Sequence, residues 1–164
     1  MVDLKEFEQK AADLRVLGMK ISIGQDTVYE KYWDEDCRRN IYSASKSFTS
    51  CAVGFAVQEG LIDLDERLMD AFKEDIPNNP DENLKKATVK DLLTMTLGQE
   101  KGFLMGKQRP RMEEQNWVKA SLAIPFVYEP GTHFVYNNVG PYLAGILVQR
   151  RAGCDLLSYL TPRL

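Results

Sequence analysis

The stretch from Ala44 to Glu59 is the most apolar helical pattern in the chain, with Phe48, Cys51, Ala52, Phe55 and Ala56 on one face and Val53 and Val57 on another. A helix that is apolar nearly all round has no face to offer water, so the pattern predicts a buried helix ended by Gly60. Cys51, small and in its middle, is expected in the core. At 164 residues the chain fits one domain with a core of its own.

The segments around this helix read as short elements of both kinds. Leu4, Phe7, Ala11 and Leu14 recur at helical spacing, predicting a helix over 3–17 with Gly18 as its stop. Met19, Ile21 and Ile23 then alternate with Lys20 and Ser22, "GQD" supplies a turn, and "TVYEKYW" resumes with β-branched and aromatic residues, which predicts a hairpin over 19–33. The charged "DEDCRRN" is expected to be an exposed loop. Past Gly60, "IPNNPDENLKK" reads as loop through Pro77 and Pro80. Thr88 with Asp91 three residues on has the form of a capping box, opening a short helix that closes near Gly98.

"GQEKGFLMGKQRPRMEEQN" has no periodic apolar face and carries Gly98, Gly102 and Gly106, so it is expected to be a long loop of the kind that often carries function. A helix is predicted over 112–123, a Pro-Gly turn in "VYEPGTHFVY", and a helix over 139–152 with Tyr142, Leu143, Ile146 and Leu147 in register and Gly153 after it. "CDLLSYLTPRL" reads as the start of one more helix.

Charge and composition exclude several functions. Twenty-one basic and 24 acidic residues are interspersed, giving a net charge of -3 with no basic stripe for phosphates or anionic lipid, so neither nucleic acid nor a membrane surface is an expected partner. The first residues lack an apolar signal core and no run approaches the 18 or so apolar residues of a membrane span, so the sequence reads as cytoplasmic. Cys37, Cys51 and Cys154 are odd in number and lack C-x-x-C spacing, which supports neither a disulfide framework nor a zinc site. His133 is the only histidine and sits in "PGTHF", which reads as an exposed turn; a histidine-dependent triad would have to use it.

"IYSASKSFTS" places Ser43 three residues before Lys46 at the start of the apolar helix. Residues three apart on a helix share a face, so the amine can reach the hydroxyl, and the helix dipole favours negative charge developing near the Ser43 N–H. A serine hydroxyl needs such a base to become a nucleophile. The same residues also make an ordinary polar helix start, since serine is a preferred N-cap. "FVYNNVG" adds Tyr136 and Asn138 around Asn137. A tyrosine beside a lysine can ionise below its usual pKa and shuttle a proton, and an asparagine amide can hold a substrate carbonyl. Alternatively, the tyrosine packs by its ring and the asparagines only turn the chain.

Taken in order with their neighbours, these stretches resemble the serine β-lactamase and penicillin-binding-protein superfamily, in its class C β-lactamase and esterase-like branch. "IYSASKSFTS" is similar to that family's S-x-x-K helix start, "EGLIDLDERL" to the segment after it, "ATVKDLLTMTLG" to the stretch before the active-site loop, and "EPGTHFVYNNVGPYLAG" to its Y-x-N region. The resemblance covers nearly the whole chain. It implies Ser43 as acylated nucleophile, Lys46 as its activating partner, Tyr136 as general base and acid, and Asn138 as a substrate-amide contact, with lysine and tyrosine coupled in handling the proton. Two departures stand out. Met95 and Leu97 occupy positions where the family often has His and Ser, and no K-T-G or H-x-G motif follows. A site missing an oxyanion donor can lose about 10²–10³ in rate.

The resulting expectation is a mixed α and β fold, β-lactamase/transpeptidase-like, with an antiparallel sheet flanked by helices plus a helical region. Residues 1–164 form the N-terminal part of one such domain: hairpin and nucleophile helix over 1–60, helical region over 61–130, Y-x-N segment and following helix over 131–164. The expected activity is a serine hydrolase acting through an acyl-enzyme on an ester, amide or β-lactam-like carbonyl of a small molecule or peptide. No metal or organic cofactor is implied, because side chains alone carry the scheme. The alternative is a non-catalytic piece that binds a peptide, a cell-wall fragment or a partner chain, by association with a complementary segment or with itself.

Overall fold

Alternating Met19, Ile21 and Ile23 pair with the β-branched and aromatic run that follows, and the result is the predicted hairpin. The computed structural model describes residues 3–35 and 37–164. Strand β1 (Gly18–Ile23) runs antiparallel to β2 (Asp26–Tyr32) around a turn in which Gly24 takes a left-handed φ of 61°. A bulge between Ile21 and Ser22 shifts the register. These two strands are the sheet among the described residues.

Helix α1 (Lys5–Ala11) precedes them and is shorter than the predicted 3–17. Its last turn unwinds where Arg15 adopts φ 54° and the Val16 N–H returns to the Ala11 carbonyl. Gly18 is therefore not the stop; it opens β1, where the Tyr32 ring leaves no room for a Cβ. Glu8 accepts hydrogen bonds from Tyr29 and Lys31 and the Phe7 ring meets Trp33 edge-on, tying α1 to the hairpin. This unit ends at Ile41, and Tyr42–Leu164 form a second.

The second unit is helical. After a 3-10 turn at Tyr42–Ala44, helix α2 runs Ser45–Gln58 and stops where Gly60 takes φ 71°. Short helices α3 (Leu68–Ala71), α4 (Glu82–Lys86), α5 (Val89–Thr94) and α6 (Trp117–Leu122) follow, then α7 (Val139–Ala152) and α8 (Leu156–Leu160). Both α3 and α4 fall in sequence read as connection or loop, and α6 covers only the second half of the predicted 112–123. The capping box at Thr88 and Asp91 is present, with the Asp91 carboxylate accepting from the Thr88 N–H at 2.9 Å. Gly153, with φ 70°, closes α7 as expected.

Helix α2 is not buried all round. Ala52, Val53 and Ala56 are fully covered, whereas Phe48 and Val57 are exposed and Cys51 is a free, exposed cysteine rather than a core residue. Helices α7 and α8 pack on one side of it, and an apolar pattern all round is buried only where partners lie all round. The core accordingly sits between α2, α5 and α7, built from Leu92, Val139, Leu143, Ala144, Leu147 and Val148. Gly140 lets α7 approach α5 so closely that a Cβ there would overlap the Leu92 carbonyl oxygen. At the far end of α7, the buried Asp75 carboxylate accepts from Arg150 at 2.7 Å and from Asn116, the cap of α6, at 2.9 Å.

Candidate active site

Ser43 could have served as a helix cap, but no side-chain cap bond closes the start of α2, where Ala44 holds the N-cap position. The Ser43 hydroxyl is used elsewhere. Lys46, on the first turn of α2, donates from Nζ to Ser43 Oγ at 3.0 Å, and the Tyr136 hydroxyl donates to the same oxygen at 2.6 Å. Lys46 Nζ also donates to Asn138 Oδ1 at 2.8 Å and lies 5.1 Å from the centre of the Tyr136 ring. The four predicted site residues therefore form one cluster within the second unit. Ser43 is exposed, Tyr136 is 44% exposed, and Lys46 and Asn138 are half-buried. His133 stays outside the cluster: its ring stacks on Tyr128 with centroids 4.2 Å apart and Nδ1 meets the Thr132 hydroxyl.

Tyr136 ionises more readily than an ordinary tyrosine. Hydrogen bonding from Ser43 is the largest cause and hydrogen bonding from Lys46 the next, and together they outweigh the upward pull of partial desolvation. Once the phenol loses its proton, the Ser43 hydroxyl becomes the donor in their shared bond. Tyr42, immediately before the serine, adopts φ 46°, a left-handed conformation uncommon for a residue with a side chain.

How Tyr136 reaches Ser43 is a matter of backbone. The segment 126–138 runs beside 95–104, held by the Tyr128 N–H on the Gly98 carbonyl, Gly131 on Thr96, Val135 on Met95 and Asn138 on Phe103. Gly98 has φ 92° and no space for a Cβ against the Tyr128 carbonyl, and a Cβ on Gly102 would stand 2.8 Å from the Tyr136 carbonyl oxygen. Met95 ends α5 in the left-handed conformation, which points the chain into this pairing.

The two asparagines divide the work. Asn137 is buried and its Oδ1 accepts from the Gly140 N–H at 3.1 Å, fixing the start of α7. Asn138 presents Oδ1 to Lys46 because its Nδ2 donates to the Leu104 carbonyl at 3.0 Å. One Nδ2 hydrogen remains for another acceptor. Leu104, buried and with φ 56°, was not singled out in the sequence; its contribution is a carbonyl, which any residue could supply. The one hint was the glycine-rich, non-periodic character of its loop.

A model of the family described as Beta-lactamase matches residues 5–164. The chain is 31% identical over 151 residues to a protein of Aspergillus terreus named monacolin J acid methylbutanoyltransferase, covering 80% of this chain and 36% of that protein. Acyltransferase mokF of Monascus pilosus is 30% identical over 150 residues, with the same coverage. Among solved structures, the octameric penicillin-binding protein homologue from Pyrococcus abyssi is similar with a TM-score of 0.74 and 23% identity, covering 99% of this chain and 42% of that one. A class C beta-lactamase is similar with a TM-score of 0.76 and 18% identity, covering 98% and 46%. The fold is thus of the β-lactamase/transpeptidase type. The chain spans about a third of the length of the curated relatives and less than half of these structures.

Proposed function

The chain belongs to the beta-lactamase family, and on that premise we propose that it carries the nucleophile half of a serine enzyme working through an acyl intermediate on Ser43. Residues 1–164 are read as the N-terminal part of such a domain. One observation carries the reading: Ser43 Oγ accepts from both Lys46 Nζ and the Tyr136 hydroxyl. No helix-capping duty explains that convergence.

In the proposed reaction, Ser43 Oγ attacks the substrate carbonyl carbon while its proton passes to the ionised Tyr136 oxygen. The carbonyl–leaving-group bond breaks, and Tyr136 returns the proton to the departing oxygen or nitrogen. The Lys46 amine, tethered by Asn138, steadies the Tyr136 oxygen and Ser43 Oγ through both steps. The remaining Nδ2 hydrogen of Asn138 is directed to a substrate amide. A second nucleophile then attacks the ester carbon, giving its proton to Tyr136; the bond between that carbon and Ser43 Oγ breaks, and Tyr136 passes the proton on to Oγ, which restores the free serine. Water in that role makes a hydrolase of ester, amide or β-lactam-like substrates; another acceptor in its place makes an acyltransferase, the activity printed in the names of the curated relatives.

A fluorophosphonate or penicillin-type probe tests the reading. One adduct on Ser43 by mass spectrometry is expected, and wild-type labelling of Ser43→Ala would eliminate it.

A second reading, association without turnover, is favoured by an apolar groove between α2 and α8 lined by Phe48, Leu156, Leu157, Leu160 and Leu164. Leu157 and Leu164 are 76% and 69% exposed. An apolar surface of this kind suits a complementary β-lactamase-fold segment or a second copy. Co-expression with the C-terminal part of a relative, followed by size-exclusion chromatography, tests it: a monomer that ignores the added segment counts against association.

A further inference from the structure

We propose that Ser45 is a positioning residue: its hydroxyl grips the carbonyl end of the peptide unit whose other end is the Ser43 N–H, and so aims that N–H at the substrate's carbonyl oxygen. The inference rests on Ser43 being the nucleophile.

Ser45 Oγ donates to the Tyr42 carbonyl at 2.7 Å. Serine at a helix start is usually an acceptor for free N–H groups. Here no side chain caps α2, and Ser45 acts instead as a donor to the turn before it. Hydroxyls back-bond to carbonyls in many helices. What sets this one apart is the carbonyl it reaches. The Tyr42 carbonyl and the Ser43 N–H belong to one planar, trans peptide unit, so they point in opposite directions and neither turns without the other. Holding the carbonyl on Ser45 therefore fixes the direction of the N–H. That N–H lies in the first turn, where no intrahelical carbonyl meets it.

The unit is one that needs holding. Tyr42 has φ 46°, in the left-handed region that residues with a Cβ rarely enter, and the chain passes from it directly into the 3-10 turn Tyr42–Ala44. Such a conformation persists where its surroundings over-determine it. The Ser45 hydroxyl, reaching back three residues, is one such restraint.

As Ser43 Oγ bonds to the substrate carbon, negative charge gathers on the carbonyl oxygen, and a donor already aimed there stabilises it without reorganising. The Ser43 N–H shares a residue with the attacking oxygen, so it is the main-chain donor tied most closely to the reacting carbon. Donation into the Tyr42 carbonyl also polarises the peptide unit and strengthens its N–H as a donor. Lys46 and Tyr136 meanwhile contact Ser43 Oγ and handle its proton. The labour divides: those two govern the proton on the serine, and Ser45 the charge on the substrate.

Hydrolysis of p-nitrophenyl acetate by Ser45→Ala, Ser45→Thr and Ser45→Val, with Ser43→Ala as blank, tests the proposal. Acylation and deacylation both pass through a charged carbonyl oxygen. Ser45→Ala should therefore lower kcat and kcat/KM together by about tenfold to a hundredfold, a share of the 10²–10³ lost when such a donor is removed outright. The pH midpoint set by Tyr136 should stay at its wild-type value, because the contacts among Lys46, Ser43, Tyr136 and Asn138 do not involve Ser45. Threonine keeps the hydroxyl and valine has its shape without it, so Ser45→Thr should recover most of the rate and Ser45→Val should not. That pair, assayed where thermal melts show both folded, carries the test even if Ser45→Ala does not fold. Wild-type rates in Ser45→Ala, a Ser45→Val as active as Ser45→Thr, or a rate loss that comes with a shifted pH midpoint would overturn the proposal. If the wild-type chain does not hydrolyse the ester above the blank, the nucleophile reading itself fails and takes this one with it.

Discussion

The Tyr136 hydroxyl lies 2.6 Å from Ser43 Oγ although 93 positions separate the two residues. Lys46 reaches the same oxygen from one helical turn away, so the local and the distant partner meet at one atom. Because hydrogen bonds from Ser43 and then Lys46 draw the phenol's pKa below 10, the base is present at lower pH than a free tyrosine would allow. Ser43 labelling by a fluorophosphonate should therefore rise with pH along a limb whose midpoint is below 10. Tyr136→Phe should lose about 10²–10⁴ in labelling rate together with that limb. An unchanged pH profile in the variant would remove Tyr136 from the proton path.

Asn138 stands between Lys46 and Leu104, and an apolar replacement leaves both without their partner. Asn138→Leu should cost about 1–3 kcal/mol of stability, the penalty for a buried carbonyl left unpaired. Labelling of Ser43 should fall further than stability explains, because Lys46 loses its tether. Thermal melts beside labelling rates at a temperature where both proteins are folded separate the two effects.

Two helix glycines should respond oppositely to alanine. Gly54 on α2 has open space where a Cβ would go, so Gly54→Ala should stabilise by about 0.5–1 kcal/mol through helix propensity. Gly140 on α7 has the Leu92 carbonyl in that place, so Gly140→Ala should destabilise by about 1–3 kcal/mol. At roughly 2–4 °C per kcal/mol for a chain of this size, calorimetry resolves both signs. A neutral Gly140→Ala would mean that α5 and α7 are not so tightly apposed.

Asp75 joins the cap of α6 to the last turns of α7 through Asn116 and Arg150. Its side chain is 4% exposed while that of Arg150 is 43% exposed, so solvent screens the cation when its partner is lost. Asp75→Ala should accordingly cost about 1–3 kcal/mol, less than breaking a fully buried pair. Urea midpoints for Asp75→Ala and Arg150→Met should show the larger loss for Asp75, because only that change also strips Asn116 of its acceptor.

Much of the local structure was legible before the fold. Alternation at 19–33 gave the hairpin, the Thr88 and Asp91 spacing gave a capping box, and the i, i+3 relation of Ser43 to Lys46 gave their contact, because each depends on residues that are neighbours along the chain. Where sequence and structure differ, the reasons are of two kinds. The one-sided burial of α2 depends on the positions of α7 and α8, which no pattern within 44–59 encodes, whereas α1 ends at the left-handed Arg15 inside 3–17, a backbone turn that apolar spacing alone does not reveal.

The same division runs through the site. Residue types and spacing determined that a hydroxyl, an amine, a phenol and an amide were available, and that the first two share a helix face. Tertiary structure alone decided that the phenol meets the hydroxyl, that Asn138 turns its oxygen to Lys46, and that Asn137 is left to start α7. The reason is physical: these choices are made by backbone carbonyls of Met95, Phe103 and Leu104 and by the close approach at Gly98 and Gly102. A carbonyl is common to every residue, so its placement is written in the path of the chain and not in the identity of the side chain beside it.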